Sequence, residues 1–124
     1  MRRQDRAATH SQKTRMYIIE VYEGTPVVRV RGEADLTSAS DFRKTLMSAL
    51  EQPVPRVVVA LDECTYFDAT AVGILIGTQK KVGERLVVVA PAENIVRTAL
   101  DRSGLAQHLV LASSLDEAVT GLAP

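Results

Sequence analysis

"LDECTYFDATAVGILIG" (Leu61–Gly77) is the stretch on which the reading of this chain turns. Behind it, "RVVVAL" (56–61) is apolar throughout, the pattern of a strand covered on both faces. Ahead of it, a helix is expected from Asp68 or Ala69 to about Lys81. Asp68 is placed as its N-cap, the carboxylate accepting from amides that have no partner in the first turn. Thr70 is then the second helical residue, near solvent. A threonine there usually has no task. Beside the positive end of a helix, however, phosphate oxygens can be received by backbone amides. A phosphate on Thr70 would bring about −1.5 to −2 charges next to Asp68 and Asp35. The helix would tolerate it, and whatever docks over the helix would not. The structural cap and the switch are both open readings at this point.

Outward from this junction the period of the apolar residues changes repeatedly. "MYIIEVY" (16–22) and "PVVRVRGEA" (26–34) read as two strands of a hairpin separated by Glu23, Gly24 and Thr25. Val28 and Val30 alternate with Arg29 and Arg31, which predicts one wet face. In "LTSASDFRKTLMSAL", Phe42, Leu46, Ala49 and Leu50 recur at helical spacing; Thr37 or Ser38 can cap the start, and Pro53 with Pro55 stops the helix. Strand "RLVVVA" (85–90) follows a turn at Gly83. Pro91 opens a third helix in which Ile95, Ala99 and Leu100 share a face. A short strand, "HLVLA", precedes a last helix with a Ser114–Glu117 capping box ahead of Ala118, Val119 and Leu122. The order β-β-α-β-α-β-α-β-α predicts one α/β domain with a mostly parallel sheet and an antiparallel first strand at the edge.

Composition sets the outer limits. With 124 residues, 46% of them apolar, one packed core is expected. Fifteen basic residues balance fifteen acidic ones, but residues 1–15 carry a net +4 and the remainder −4. The acidic body argues against a nucleic-acid surface. The leader "MRRQDRAATHSQKTR" has no apolar stretch of the signal-peptide kind and is expected to be flexible. No segment approaches the roughly 20 apolar residues that cross a bilayer, and the single cysteine, Cys64, has no partner for an internal disulfide. A cytoplasmic protein with a buried, unreactive thiol is expected.

Familiar enzyme signatures are missing. No Gly-x-Gly-x-x-Gly or Gly-Lys-Ser/Thr loop announces a nucleotide cofactor. His10, His108 and Cys64 share no metal-ligand spacing, and Gly-x-Ser-x-Gly is absent. Asp35 and Asp68 near strand ends leave a carboxylate centre open, although two carboxylates specify no reaction. Gly73 and Gly77 lie one turn apart, and two interior glycines cost about 1.5 to 2 kcal/mol of helix propensity. They imply tight packing on the sheet or a bare face for a partner helix. Val72, Ile74, Leu75, Ile76 and Val82 exceed a one-sided stripe, so some of them are expected to be exposed.

Four segments together resemble the STAS domains of bacterial anti-sigma factor antagonists. They are "RGEAD" (31–35), "YFDATAVGILIG" (66–77), "GERLVVVAP" (83–91) and "DRSGL" (101–105), and the resemblance covers about residues 16–122. It implies a STAS domain over 16–124 behind a basic tail at 1–15, with a four- to five-stranded mixed sheet and about four helices mainly on one side. Thr70 matches the family's phosphorylated residue, Asp68 the aspartate two places earlier, and Asp35 the acidic residue beside the acceptor. The implied partner surface is Glu33, Asp35, Asp68, Ala69, Thr70, Ala71, Val72 and Gly73. The implied partner is an anti-sigma factor with a histidine-kinase-like ATPase fold that phosphorylates Thr70, with a phosphatase to reset it. The resemblance implies no enzyme activity and no cofactor of the chain's own, and the free protein is expected to be a monomer. A STAS scaffold that is never phosphorylated is the alternative. Two departures stand out: Ala69 replaces the usual hydroxyl residue before the acceptor, and Ala71 replaces the glycine after it, which is expected to add a methyl where the kinase approaches. The connection from Gly77 to Arg85 is also about one helical turn shorter than usual.

Overall fold

The computed structural model describes residues 16–121. The leader 1–15 and Leu122 lie outside them. The elements are β1 (Tyr17–Tyr22), β2 (Thr25–Ala34), α1 (Ala39–Leu50), β3 (Val57–Phe67), α2 (Ala69–Val82), β4 (Leu86–Val89), α3 (Ile95–Ser103), β5 (Leu111–Ala112) and a last helical segment of wide, π-type pitch, α4 (Glu117–Gly121). The five strands lie in chain order, β1-β2-β3-β4-β5. β1 is antiparallel to β2 and every other pair is parallel.

Strand order that never reverses, combined with right-handed crossovers, puts all the connecting helices on one face. That face holds the larger core, in which Phe42, Leu46, Leu61, Leu75 and Leu86 are fully buried. The opposite face carries a smaller cluster of Val27, Val58, Ala60, Val87, Val89 and Ala112, covered by Ala118 of α4. Strands with an apolar row on each side therefore read as continuous apolar runs, as "RVVVAL" does.

Local detail departs from the sequence expectations in ways that have physical causes. The hairpin closes on Glu23 and Gly24 alone, with Thr25 paired to Tyr22. Both turn residues have positive φ, the geometry that matches strand twist and that glycine adopts freely. β3 runs six residues beyond the expected end. Its register against β2 shifts between Arg29 and Arg31 and again between Gly32 and Glu33, so inward residues fall three apart, at Leu61, Cys64 and Phe67. Those irregularities erase the alternation that marks a strand.

The wet face expected at Arg29 is also corrected. Arg29 is only 8% exposed; it donates to Glu20 (2.9 Å) and Asp62 (2.7 Å) and lies 3.5 Å from Glu63. Three carboxylates compensate its burial.

α3 starts at Ile95, after a turn from Pro91, because Asn94 is its cap, accepting from the amides of Val96 and Arg97. Its buried face is Val96 and Leu100, whereas Ile95 is 65% exposed and Ala99 is exposed too. Only Leu111–Ala112 of "HLVLA" forms a strand, and His108 ends a 3-10 turn. At α4, the Ser114 hydroxyl accepts from the Glu117 amide as expected, but the Glu117 carboxylate accepts from the Ser113 amide, one residue earlier than a capping box.

Candidate functional site

The two acidic residues singled out in the sequence meet at one end of the sheet. The amide of Asp68 donates to the carbonyl of Ala34 at 2.7 Å, which ties the start of α2 to the end of β2 and brings Asp35 alongside. Gly32, with φ of +70°, sits at the register shift and lets β2 bend into this position. Beneath lies an aromatic row: Phe42 stands 5.5 Å from Tyr17 on one side and 5.5 Å from Phe67, edge-on, on the other. Tyr17 reaches up from it, its hydroxyl 2.6 Å from that of Ser38. The parts of this platform are packed or hydrogen-bonded from below.

Asp68 caps α2 as expected. Its backbone is extended and one carboxylate oxygen accepts from the Thr70 amide at 2.9 Å. The other accepts from the Tyr66 hydroxyl at 3.2 Å. The Thr70 amide above all holds the Asp68 carboxyl below its ordinary value, and the bond to Asp68 raises the Tyr66 phenol. Asp35 caps the 3-10 turn Leu36–Ser38, accepting from the Thr37 hydroxyl (2.9 Å) and the Ser38 amide (3.1 Å). The Thr37 hydroxyl is the chief cause of its lowered pKa. The expected cap of α1 by Thr37 or Ser38 holds in position and not in bonding: Ser38 stands at the α1 N-cap without a side-chain bond to the helix, its hydroxyl being engaged with Asp35 and Tyr17.

Both aspartates are therefore anions committed to backbone amides, which is poor equipment for proton transfer. Among the described residues no cluster of His, Cys, Asp and Glu could hold a metal ion. What the arrangement presents is an exposed residue with a hydroxyl, Thr70, on the N-terminal turn of a helix capped by the Asp68 carboxylate, with the Asp35 carboxylate following the strand end to which that turn is tied.

The other residues of the predicted surface divide. Glu33, Ala69, Thr70 and Gly73 are exposed, and Asp35 and Asp68 half-buried. Ala71 and Val72 are buried, Ala71 completely. One step along a helix turns the side chain by about 100°, so Ala71 points into the core when Thr70 points out. Its methyl does not obstruct the approach to Thr70. The apolar excess of α2 resolves in the same way: Val72 and Leu75 are buried, while Ile74, Ile76 and Val82 are partly buried against the core. α1 and α3 flank this central helix, with an open cleft along each side of it. The exposed apolar residues near the site are instead Leu36, Tyr66, Met47 and Ile95, which belong to neighbouring elements; of these, Ile95 is expected from the sequence on the inward face of its helix.

The glycines are not packed against the sheet. A Cβ placed on Gly73 or Gly77 would meet nothing within 4 Å. Gln79, which passed unnoticed in the sequence, is buried and donates to the carbonyls of Gly83 (2.8 Å) and Leu86 (2.7 Å) while accepting from the Val110 amide (2.9 Å). Cys64 is 1% exposed, and burial pushes its thiol up to about 11.

A family model described as "Mlab, STAS domain" matches residues 21–113, three quarters of the chain. The chain belongs to the STAS domain family. Among solved structures it is similar to an anti-sigma factor antagonist from Mycobacterium paratuberculosis, at 25% identity over 87% of this chain and 93% of that one, with a TM-score of 0.70. The anti-sigma factor antagonist SpoIIAA in its unphosphorylated form matches at 22% identity over 86% and 95%, with a TM-score of 0.64; the phosphorylated form, from Bacillus, gives 0.59 over 86% and 98% at the same identity. A sulfate transporter family protein from Wolinella succinogenes shares the fold at 18% identity over 82% and 87%, with a TM-score of 0.61. In this chain, no helix among the described residues is long and apolar enough to cross a membrane.

Proposed function

We propose that this protein is an anti-sigma factor antagonist. It binds an anti-sigma factor with a histidine-kinase-like ATPase fold, thereby freeing the sigma factor, and it is switched off when that partner phosphorylates Thr70. The observation that carries the reading is the exposed Thr70 hydroxyl on the turn capped by Asp68, in a STAS domain whose solved relatives include antagonists of anti-sigma factors. The contact surface is Glu33, Asp35, Asp68, Ala69, Thr70 and Gly73, with Leu36 and Tyr66 as apolar additions. Ala71 and Val72 support it from below. A phosphate here acts through charge and bulk, since the amides of α2 receive it and Asp35 and Asp68 crowd it. The protein itself performs no catalysis and needs no cofactor. It works in the cytoplasm as a monomer, makes no direct contact with nucleic acid, and is reset by a phosphatase.

The test is to incubate the protein with each ATPase-type anti-sigma factor of its source organism, Mg²⁺ and ATP, and to locate phosphate by mass spectrometry. One phosphate is expected, on Thr70. Thr70→Ala should lose it and keep its affinity within about threefold, because little contact area is removed. Thr70→Glu should bind at least tenfold more weakly. Binding without any phosphate would favour the unphosphorylated scaffold; no binding at all would sink the reading, since fold alone does not fix function.

A further inference from the structure

Among the described residues a side chain at Gly73 or Gly77 has no packing partner, so none of them requires glycine there, although glycine weakens a helix interior. The two form part of a groove of about 340 Å³ between α1 and α2. Arg43 and Met47, one turn apart, come from α1, with Met47 39% exposed. Ile74 adds apolar surface, Thr70 stands at one end and Lys81 at the other. From Thr70 to Lys81 is three turns, roughly 16 Å. The lining carries two cations and no carboxylate.

We propose that this groove seats an acidic helix of the anti-sigma partner, apolar along the face that meets Met47 and Ile74, with carboxylates set against Arg43 and Lys81. The partner's identity rests on the functional reading above; the acidic helix and its seat do not follow from it. Bare backbone at Gly73 and Gly77 lets the incoming helix approach closely. Charge excludes two other occupants. Residues 1–15 of this chain are strongly basic, and a symmetric contact between two copies would set cation against cation. The groove also accounts for the direction of the switch. A phosphate on Thr70 places about −1.5 to −2 charges at its mouth, where it repels the partner's carboxylates and competes for Arg43.

Calorimetric titration of the full chain with the purified ATPase-type anti-sigma factors, in low and high salt, tests the proposal. Gly77→Leu fills the groove, and Arg43→Glu with Lys81→Glu reverses its charge; Arg102→Glu, exposed on α3, is the control. Each groove variant should lose at least tenfold in affinity, the control less than twofold, and wild-type binding should weaken with salt. Equal binding by wild type and both groove variants overturns the seat and leaves the functional reading standing. Failure of the wild type to bind any of the factors overturns both. Light scattering that shows a wild-type dimer abolished by Gly77→Leu assigns the groove to a second copy and also overturns the proposal.

Discussion

Asp68 shows how much a single side chain does here. One oxygen fixes the first turn of α2 through the Thr70 amide, and the other holds Tyr66. Because the Thr70 amide lowers the folded pKa of Asp68 below 3.8, ionisation of Asp68 stabilises the fold. That contribution is complete above the unfolded carboxylate value and disappears as pH falls through the lower folded one. Asp68→Asn keeps the capping geometry without the charge, so it should be less stable than wild type at pH 7. Urea midpoints measured from pH 7 down to pH 2 should converge for the two proteins. A gap that stays constant across that range would show that the charge is not the stabilising feature.

Helices and strands are joined by polar side chains that are buried, as Gln79 is, or half-buried, as Arg85 and Asn94 are. Gln79 links the end of α2 to β4 and to the segment before β5, and Arg85 donates to the carbonyls of Leu50, Gln52 and Val54, closing the end of α1 where the chain turns toward Pro55. Asn94 caps α3 while donating to the Leu61 carbonyl of β3. Such residues fix where the helices sit on the sheet. Gln79→Leu would take a partner from the buried Leu86 carbonyl and from the Val110 amide, whereas the exposed Gly83 carbonyl keeps the Leu86 amide; each unsatisfied buried group costs about 1–3 kcal/mol. A loss of about 2 kcal/mol or more in urea denaturation is expected, with the Val110 amide exchanging faster than in wild type. Unchanged exchange at Val110 would mean that water replaces the bond.

Across the whole molecule the two faces of the sheet are unequal. The helix face has three covering helices, whereas the other depends on α4 and on the ion pairs around Arg29. Ala118 is fully buried against the sheet, and Arg56 donates to its carbonyl at 2.9 Å. A larger side chain at that point has no room, so Ala118→Leu should destabilise the protein by about 1–3 kcal/mol. Thr70, the proposed phosphoacceptor, lies at the start of α2 on the helix-covered side, so partner binding by this variant should match wild type below its melting temperature. Differential scanning calorimetry together with the binding titration checks both halves.

Much of this was legible in the sequence because it depends on neighbours along the chain. The strand at 56–61, the helix beginning after Asp68, the Asp68 cap, the exposure of Thr70 and the antiparallel first strand follow from apolar period, capping chemistry and connection length, all of them local. What tertiary structure decided depends on contacts between distant segments. Register shifts against β2 carried β3 on to Phe67 and hid its alternation. Carboxylates from β1 and β3 made a buried place for Arg29. The core took in part of the apolar surplus of α2, and the helix's angular position on the sheet sent Ala71 inward while leaving Gly73 and Gly77 bare. A periodicity reports which residues share a side of an element; what that side meets is set only when the other elements arrive.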